Sequence, residues 1–152
     1  MDSIRIFGYK SFKKLSVQLH PINLLIGANG AGKSNFLSLF EMLGNIYEKR
    51  LGAYVAQVGG VDKLLYQGRK VTDRIAVNLL IAKSEYDLAL LESDGKLIVE
   101  REVVGCYDDV CPLDLVRKNV ITEFQGESSL KDHKEEDLSN YISQIRKFHF
   151  HD

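Results

Sequence analysis

Gly27-Ala28-Asn29-Gly30-Ala31-Gly32-Lys33-Ser34 has the residue types and spacing of an anion cradle: a glycine, four residues, a second glycine, then lysine and serine. Glycines admit positive φ and let the backbone approach an oxygen with no Cβ in between. Successive amides then converge on one concavity. A helix that follows adds unpaired N–H groups and a partial positive charge at its N-terminus. Lys33 is expected to reach the β- and γ-phosphates of a purine nucleotide as a point charge. Ser34 is expected to give a hydroxyl ligand to Mg²⁺, a hard ion that takes oxygen donors. The cofactors this chemistry implies are ATP and Mg²⁺.

Such a loop works only if the elements on either side hold it. Ile22-Asn23-Leu24-Leu25-Ile26 precedes it, nearly all apolar, which predicts a strand covered on both faces. After the loop, Phe36, Leu37, Phe40, Leu43 and Tyr47 recur at spacings of three and four, predicting a helix from about Lys33 to Arg50. Upstream, residues 4–7 read as a short strand. Leu15, Val17 and Leu19 alternate with polar residues as a second strand with one wet face. Residues 52–70 read as irregular, with a turn at Gly59-Gly60. Strands are predicted at 75–82, 86–92 and 96–104. Asp94-Gly95 joins the last two as a hairpin turn that needs positive φ. Residues 119–124 read as a further strand, 127–137 as an exposed charged run, and Leu138, Tyr141, Ile142 and Ile145 as a closing amphipathic helix. The predicted fold class is α/β, with an antiparallel β meander beside a strand–loop–helix unit. Residues 1–50 would hold the phosphate loop and first helix, 51–126 mainly antiparallel β, and 127–152 a charged loop and helix.

Composition sets wider bounds. The 152 residues fit one domain, with 45% hydrophobic and 27% charged residues. A net charge of −1 gives no bulk argument for nucleic-acid or membrane binding. No run of about eighteen apolar residues predicts a membrane span. With two cysteines, Cys106 and Cys111, and no signal-peptide pattern at the start, a cytoplasmic location is the expectation.

Ile4-Arg5-Ile6-Phe7-Gly8-Tyr9-Lys10-Ser11-Phe12, followed by a strand and then Asn23 to Asn35, resembles the start of the RecF/SMC/Rad50-like ATPases of the ABC class. The bacterial AAA-family proteins of RecF-like and OLD-like type are the nearest in pattern. Phe148-His149-Phe150-His151-Asp152 also resembles a segment those proteins carry before their second half. The resemblance covers residues 1–50 well and the rest loosely. It implies a P-loop NTPase fold in which Gly27 to Ser34 form the Walker A loop and Asn35 sits near the α-phosphate. It also implies a Q-loop glutamine that helps place magnesium and water. Gln125 has the right order along the chain, with Gln57 and Gln67 as rivals.

Departures from that pattern matter. No Leu-Ser-Gly-Gly type signature occurs, and no apolar strand ends in Asp-Glu. Asp108-Asp109 follows Gly105-Cys106-Tyr107, and Glu135-Glu136-Asp137 lies in a polar run. The chain therefore reads as the N-terminal half of a nucleotide-binding domain, without the half carrying the signature and Walker B motifs. No catalytic residue is assigned except Gln125 as a candidate. Hydrolysis is expected of an intact parent, a homodimer or a pairing with a partner ATPase half. DNA is a partner by family analogy, in repair, chromosome maintenance or phage defence. The alternative is a non-catalytic or decayed fragment that works only with a partner. An unpaired sheet edge would favour self-association. A GTPase lacks support, since no Asn-Lys-x-Asp occurs, and a small-molecule kinase does not suit the long meander.

Other groups carry weaker chemistry. Cys106 and Cys111 with His149 and His151 could supply metal ligands, but ordinary structural roles suit them better. Lys10, Lys13 and Lys14 form a small basic group that reads as a solvated turn.

Overall fold

A computed structural model describes residues 2–107, 116–132 and 142. Alternating apolar residues drive the formation of six strands: β1 (Asp2–Tyr9), β2 (Phe12–Leu19), β3 (Arg74–Ile81), β4 (Ser84–Ser93), β5 (Lys96–Tyr107) and β6 (Val116–Gln125). They make one antiparallel sheet in the order β2-β1-β3-β4-β5-β6. Two helices, α1 (Lys33–Tyr47) and α2 (Leu51–Gln57), complete a mixed α/β fold. The meander expected after the first helix is present, and β1 and β2 extend the same sheet. Asp94 and Gly95 both take positive φ (51° and 78°), as the hairpin turn between β4 and β5 requires.

Period two decides what the sheet buries. Ile75, Val77, Leu79 and Ile81 of β3 point into the core beside Ile4 and Ile6 of β1 and Tyr86, Leu88 and Leu90 of β4. On α1 the buried set is Phe36, Leu39, Met42, Leu43 and Ile46, spaced by three and four. The face is rotated from the one expected: Leu37 is exposed, while Phe40 and Tyr47 are only partly buried.

The first helix also ends earlier than the apolar spacing suggests. Lys49 adopts φ 56°, its amide bonds to Ile46 O, and Arg50 N bonds to Asn45 O. That is a Schellman closure built on a lysine. It frees the chain to start α2 inside the segment read as irregular, with Leu51, Tyr54 and Val55 buried. Glu127 caps α2 by accepting from Leu51 N (3.0 Å) and Gly52 N (3.3 Å).

The largest departure concerns residues 22–26. They form no strand. Ile22 (90%), Leu24 (80%) and Ile26 (84%) stand in solvent. A two-sided apolar strand needs neighbours on both edges and both faces. Among the described residues none pairs with it, so no ladder forms.

The described part of the run at 127–137, residues 127–132, also differs from its expected exposure, and residues 133–137 lie outside the described residues. Ser128 and Leu130 are buried, and Leu130–Asp132 forms a 3₁₀ turn. The cause is Glu102, fully buried in β5, where a register shift follows it. Its carboxylate accepts from Tyr86 Oη, Ser128 Oγ and Ser129 N. Burial, followed by the charge of Glu102, pushes the Tyr86 hydroxyl far above the usual phenol range. Two exposed ion pairs, Lys49–Asp132 and Lys131–Glu48, add minor ties to the end of α1. The bond from Lys131 holds the Glu48 carboxyl below its ordinary value. Ile142 is helical and buried. The rest of the predicted closing helix lies outside the described residues. Among the described residues no helix is long and apolar enough to cross a membrane.

Candidate phosphate site at the start of the first helix

Residues 21–31 are all exposed, so the candidate loop is open to solvent along its length. Its glycines serve two different needs. Gly30 has φ 83° and nothing within 4 Å of a Cβ built there, so backbone conformation alone calls for glycine. Gly32 has φ 92° and is crowded: a Cβ would meet the Phe12 ring at 3.1 Å and Ser11 Oγ at 3.1 Å. The β1–β2 turn therefore packs directly against the entry to α1.

Gly32 is the N-cap of α1 and offers no side chain to the first amides, and the first turn carries no acidic residue. That leaves orphan donors and an uncompensated partial positive charge facing outward. Within the loop, the one backbone amide bonded to a loop carbonyl is that of Ala31, to Ala28 O at 3.2 Å. Lys33 Nζ donates to Gly27 O and Ala28 O, both at 2.7 Å. An ammonium has three donors, so one stays available while the lysine is held across the loop.

The far side of α1 is fixed by a buried polar cluster. Ser38 Oγ donates to Asn35 O (2.8 Å) and accepts from Lys10 Nζ (2.8 Å). With its proton committed, Ser38 Oγ must also accept from Tyr9 Oη at 2.9 Å. Tyr54 Oη donates to Ser38 O. Burial drives the Tyr9 hydroxyl well above the usual range and raises Tyr54 as well. Asn35 Nδ2 donates to Ser11 Oγ at 2.9 Å, a second strut between turn and helix.

The structure therefore brings Gly27, Ala28, Asn29, Gly30, Ala31, Gly32, Lys33, Ser34 and Asn35 to one exposed end of α1. It separates the candidate glutamines. Gln125 ends edge strand β6, exposed and opposite Val99. Gln57 is exposed at the end of α2. Gln67 shares an open depression with Asn35 and Lys10.

Of the basic group, Lys10 is tied into the Ser38 cluster, while Lys13 and Lys14 are exposed on β2. Cys111, Asp108-Asp109, Glu135-Glu136-Asp137, His149 and His151 lie outside the described residues. Among those described, no three His, Cys, Asp or Glu side chains group as a metal site.

Sequence reasoning missed Ser11, Phe12, Glu102 and Glu127. Ser11 and Phe12 act through contacts with residues twenty or more positions away. Glu102 follows the alternation Leu97, Val99, Arg101 out of phase, and only the strand irregularities turn it inward.

A family model described as an AAA ATPase domain matches residues 1–149. No curated protein matches the chain.

Proposed function

The chain belongs to the AAA ATPase domain family, and from that premise we propose that its exposed loop at residues 27–35 holds the phosphates of Mg-ATP. Nucleotide binding and ATP hydrolysis are the activities the family supports in general. The observation that carries the local assignment is the uncapped start of α1, with Lys33 Nζ lying across the loop and two backbone carbonyls as its partners. A phosphate arriving there meets orphan amides, the helix dipole and a cation already in place.

In this reading the loop amides and Lys33 bind the β- and γ-phosphates. Ser34 and the phosphates hold Mg²⁺, which supplies charge neutralisation when bound. Asn35 lies toward the α-phosphate. Gln125 remains a candidate for the magnesium and water position. The Walker A identity of the loop and the RecF/SMC-like, ABC-class subtype belong to this proposal too.

Phosphoryl transfer depends on positioning and charge stabilisation from several sides at once. Signature and Walker B groups would come from a further segment or a partner half. A DNA-related role, in repair, chromosome maintenance or phage defence, follows from family analogy alone.

The test is a titration of ATP with Mg²⁺ against wild type and Lys33→Ala. Loss of a charge-assisted contact predicts a ten- to hundred-fold weaker affinity, from ~1.5–3 kcal/mol. Equal affinities would remove Lys33 from the site.

A further inference from the structure

The face of the sheet turned away from the core is not an ordinary wet face. The strand registers line up one row across five strands: Lys14 on β2, Phe7 on β1, Ala76 on β3, Ala89 on β4 and Arg101 on β5. An antiparallel sheet with one solvated side carries polar residues on that side, yet the middle three of this row are apolar. Phe7 is 46% exposed. The row lines an open trough of about 840 Å³, together with Arg5, Asn78 and Asp87, which stand opposite one another in the next row.

The charges of the trough are unevenly committed. Arg5, Lys14 and Arg101 are exposed, and among the described residues no hydrogen bond or ion pair holds any of them. The carboxylate in the trough is held: Asp87 Oδ1 accepts from Asn78 Nδ2 at 2.6 Å, and the same amide donates to Glu85 Oε1 at 2.8 Å. Glu123 extends the row onto β6, opposite Arg101. Neighbouring strands lie ~4.8 Å apart, so the backbones at Lys14 and Arg101 are separated by ~19 Å, with an apolar floor between them. Both side chains are long enough to lean over that floor.

We propose that this trough docks an amphipathic helix of a partner protein, apolar along its middle and acidic at both ends of the contact. The strands beneath the floor have their backbone groups paired in ladders on both sides. An extended peptide laid there would bury its own amides without partners, whereas a helix satisfies them internally. Ala76 and Ala89 let such a helix approach closely, and its leucine-like side chains seat over them beside Phe7. Carboxylates seven to eleven residues apart, ~10–16 Å along the helix axis, meet Lys14 and Arg101. Charge complementarity sets the orientation, and the apolar middle supplies the buried area. A nucleic-acid strand matches this pattern less well. Its affinity comes from contiguous phosphates, and those would cross the apolar floor and meet Asp87.

The chain contains no tryptophan, so a single tryptophan in a synthetic peptide reports binding without background. The probe is an eighteen-residue helical peptide with leucines at spacings of three and four, one of them replaced by tryptophan, and glutamates seven and eleven residues apart. It is titrated into wild type, the double variant Lys14→Glu/Arg101→Glu, and Leu24→Ala. Wild type is expected to bind and to shift the tryptophan emission to the blue. The double variant is expected to bind about ten-fold more weakly, since two ion pairs become two repulsions. It should bind the same peptide with lysines in place of the glutamates better than wild type does. Leu24→Ala should bind as wild type. No binding to wild type, equal affinity in the double variant, or loss in Leu24→Ala, which would put the peptide on residues 22–26, would each overturn the proposal. So would a single-stranded oligonucleotide that binds wild type more tightly than the peptide and is lost in the double variant.

Discussion

Ile22-Asn23-Leu24-Leu25-Ile26 and Val77-Asn78-Leu79-Leu80-Ile81 differ at one residue, by one methylene. The second is the heart of β3, hydrogen-bonded to β1 on one side and β4 on the other, with Leu79 fully buried. The first is no strand at all, with Leu24 80% exposed. Local propensity is the same in both. What differs is the supply of neighbouring strands and of a covering face, which is the larger part of what strand preference measures. Glu102 makes the converse point. A carboxylate sits fully buried because three donors converge on it, while an isoleucine stands in water for want of partners.

Matched truncations break this comparison most directly. Leu79→Ala is expected to cost ~2–5 kcal/mol of stability, the usual range for a buried leucine. Leu24→Ala is expected to stay within about 0.5 kcal/mol, as for an exposed site. Urea unfolding of both checks the pair, and equal losses would mean that residues 22–26 are packed in solution. The exposed segment should also drive self-association. In sedimentation velocity Leu24→Ala should shift the distribution toward the monomer, whereas a monodisperse monomer for the wild type would count against association through this segment.

Glu102→Ala should cost on the order of 3 kcal/mol, since it strands the Tyr86 hydroxyl, Ser128 hydroxyl and Ser129 amide inside the fold. Hydrogen exchange should rise at Ser129 and Leu130 in that variant. If exchange stays slow there, something other than Glu102 holds the turn.

The smallest effect is alkaline. Tyr9 and Tyr86 have folded-state pKa values raised above 10 by burial. Their contribution is fully present below the unfolded value near 10 and fades as pH rises past it, because only the unfolded chain can ionise them. Stability should fall above pH 10 by at most about 1.4 kcal/mol per pH unit for each group. The part of the tyrosinate absorbance that Tyr9→Phe and Tyr86→Phe each remove should appear with unfolding, not before it. Early ionisation would mean that these hydroxyls reach solvent.

Much of the candidate site's local geometry was legible in the sequence because its cause is local. A glycine loop with lysine and serine needs only backbone freedom and the start of a helix, and both are written into consecutive residues. The alternation in β3 to β5 and the Asp94-Gly95 turn are equally local. Four features were not. The rotated face of α1, the lysine-closed end at Lys49 and the helix over Leu51–Gln57 depend on how apolar residues share the sheet surface. The phase of Glu102 depends on irregularities in two neighbouring strands.

By itself the sequence determined the loop at 27–34, the helix after it and the antiparallel meander, since each follows from torsional freedom or a repeat of two or three to four residues. Only the tertiary structure decided which of two nearly identical pentapeptides becomes a strand, and which glutamine shares a depression with Asn35. Those outcomes are settled by partners distant in the chain, whose hydrogen bonds and apolar contacts exist only once the sheet has formed.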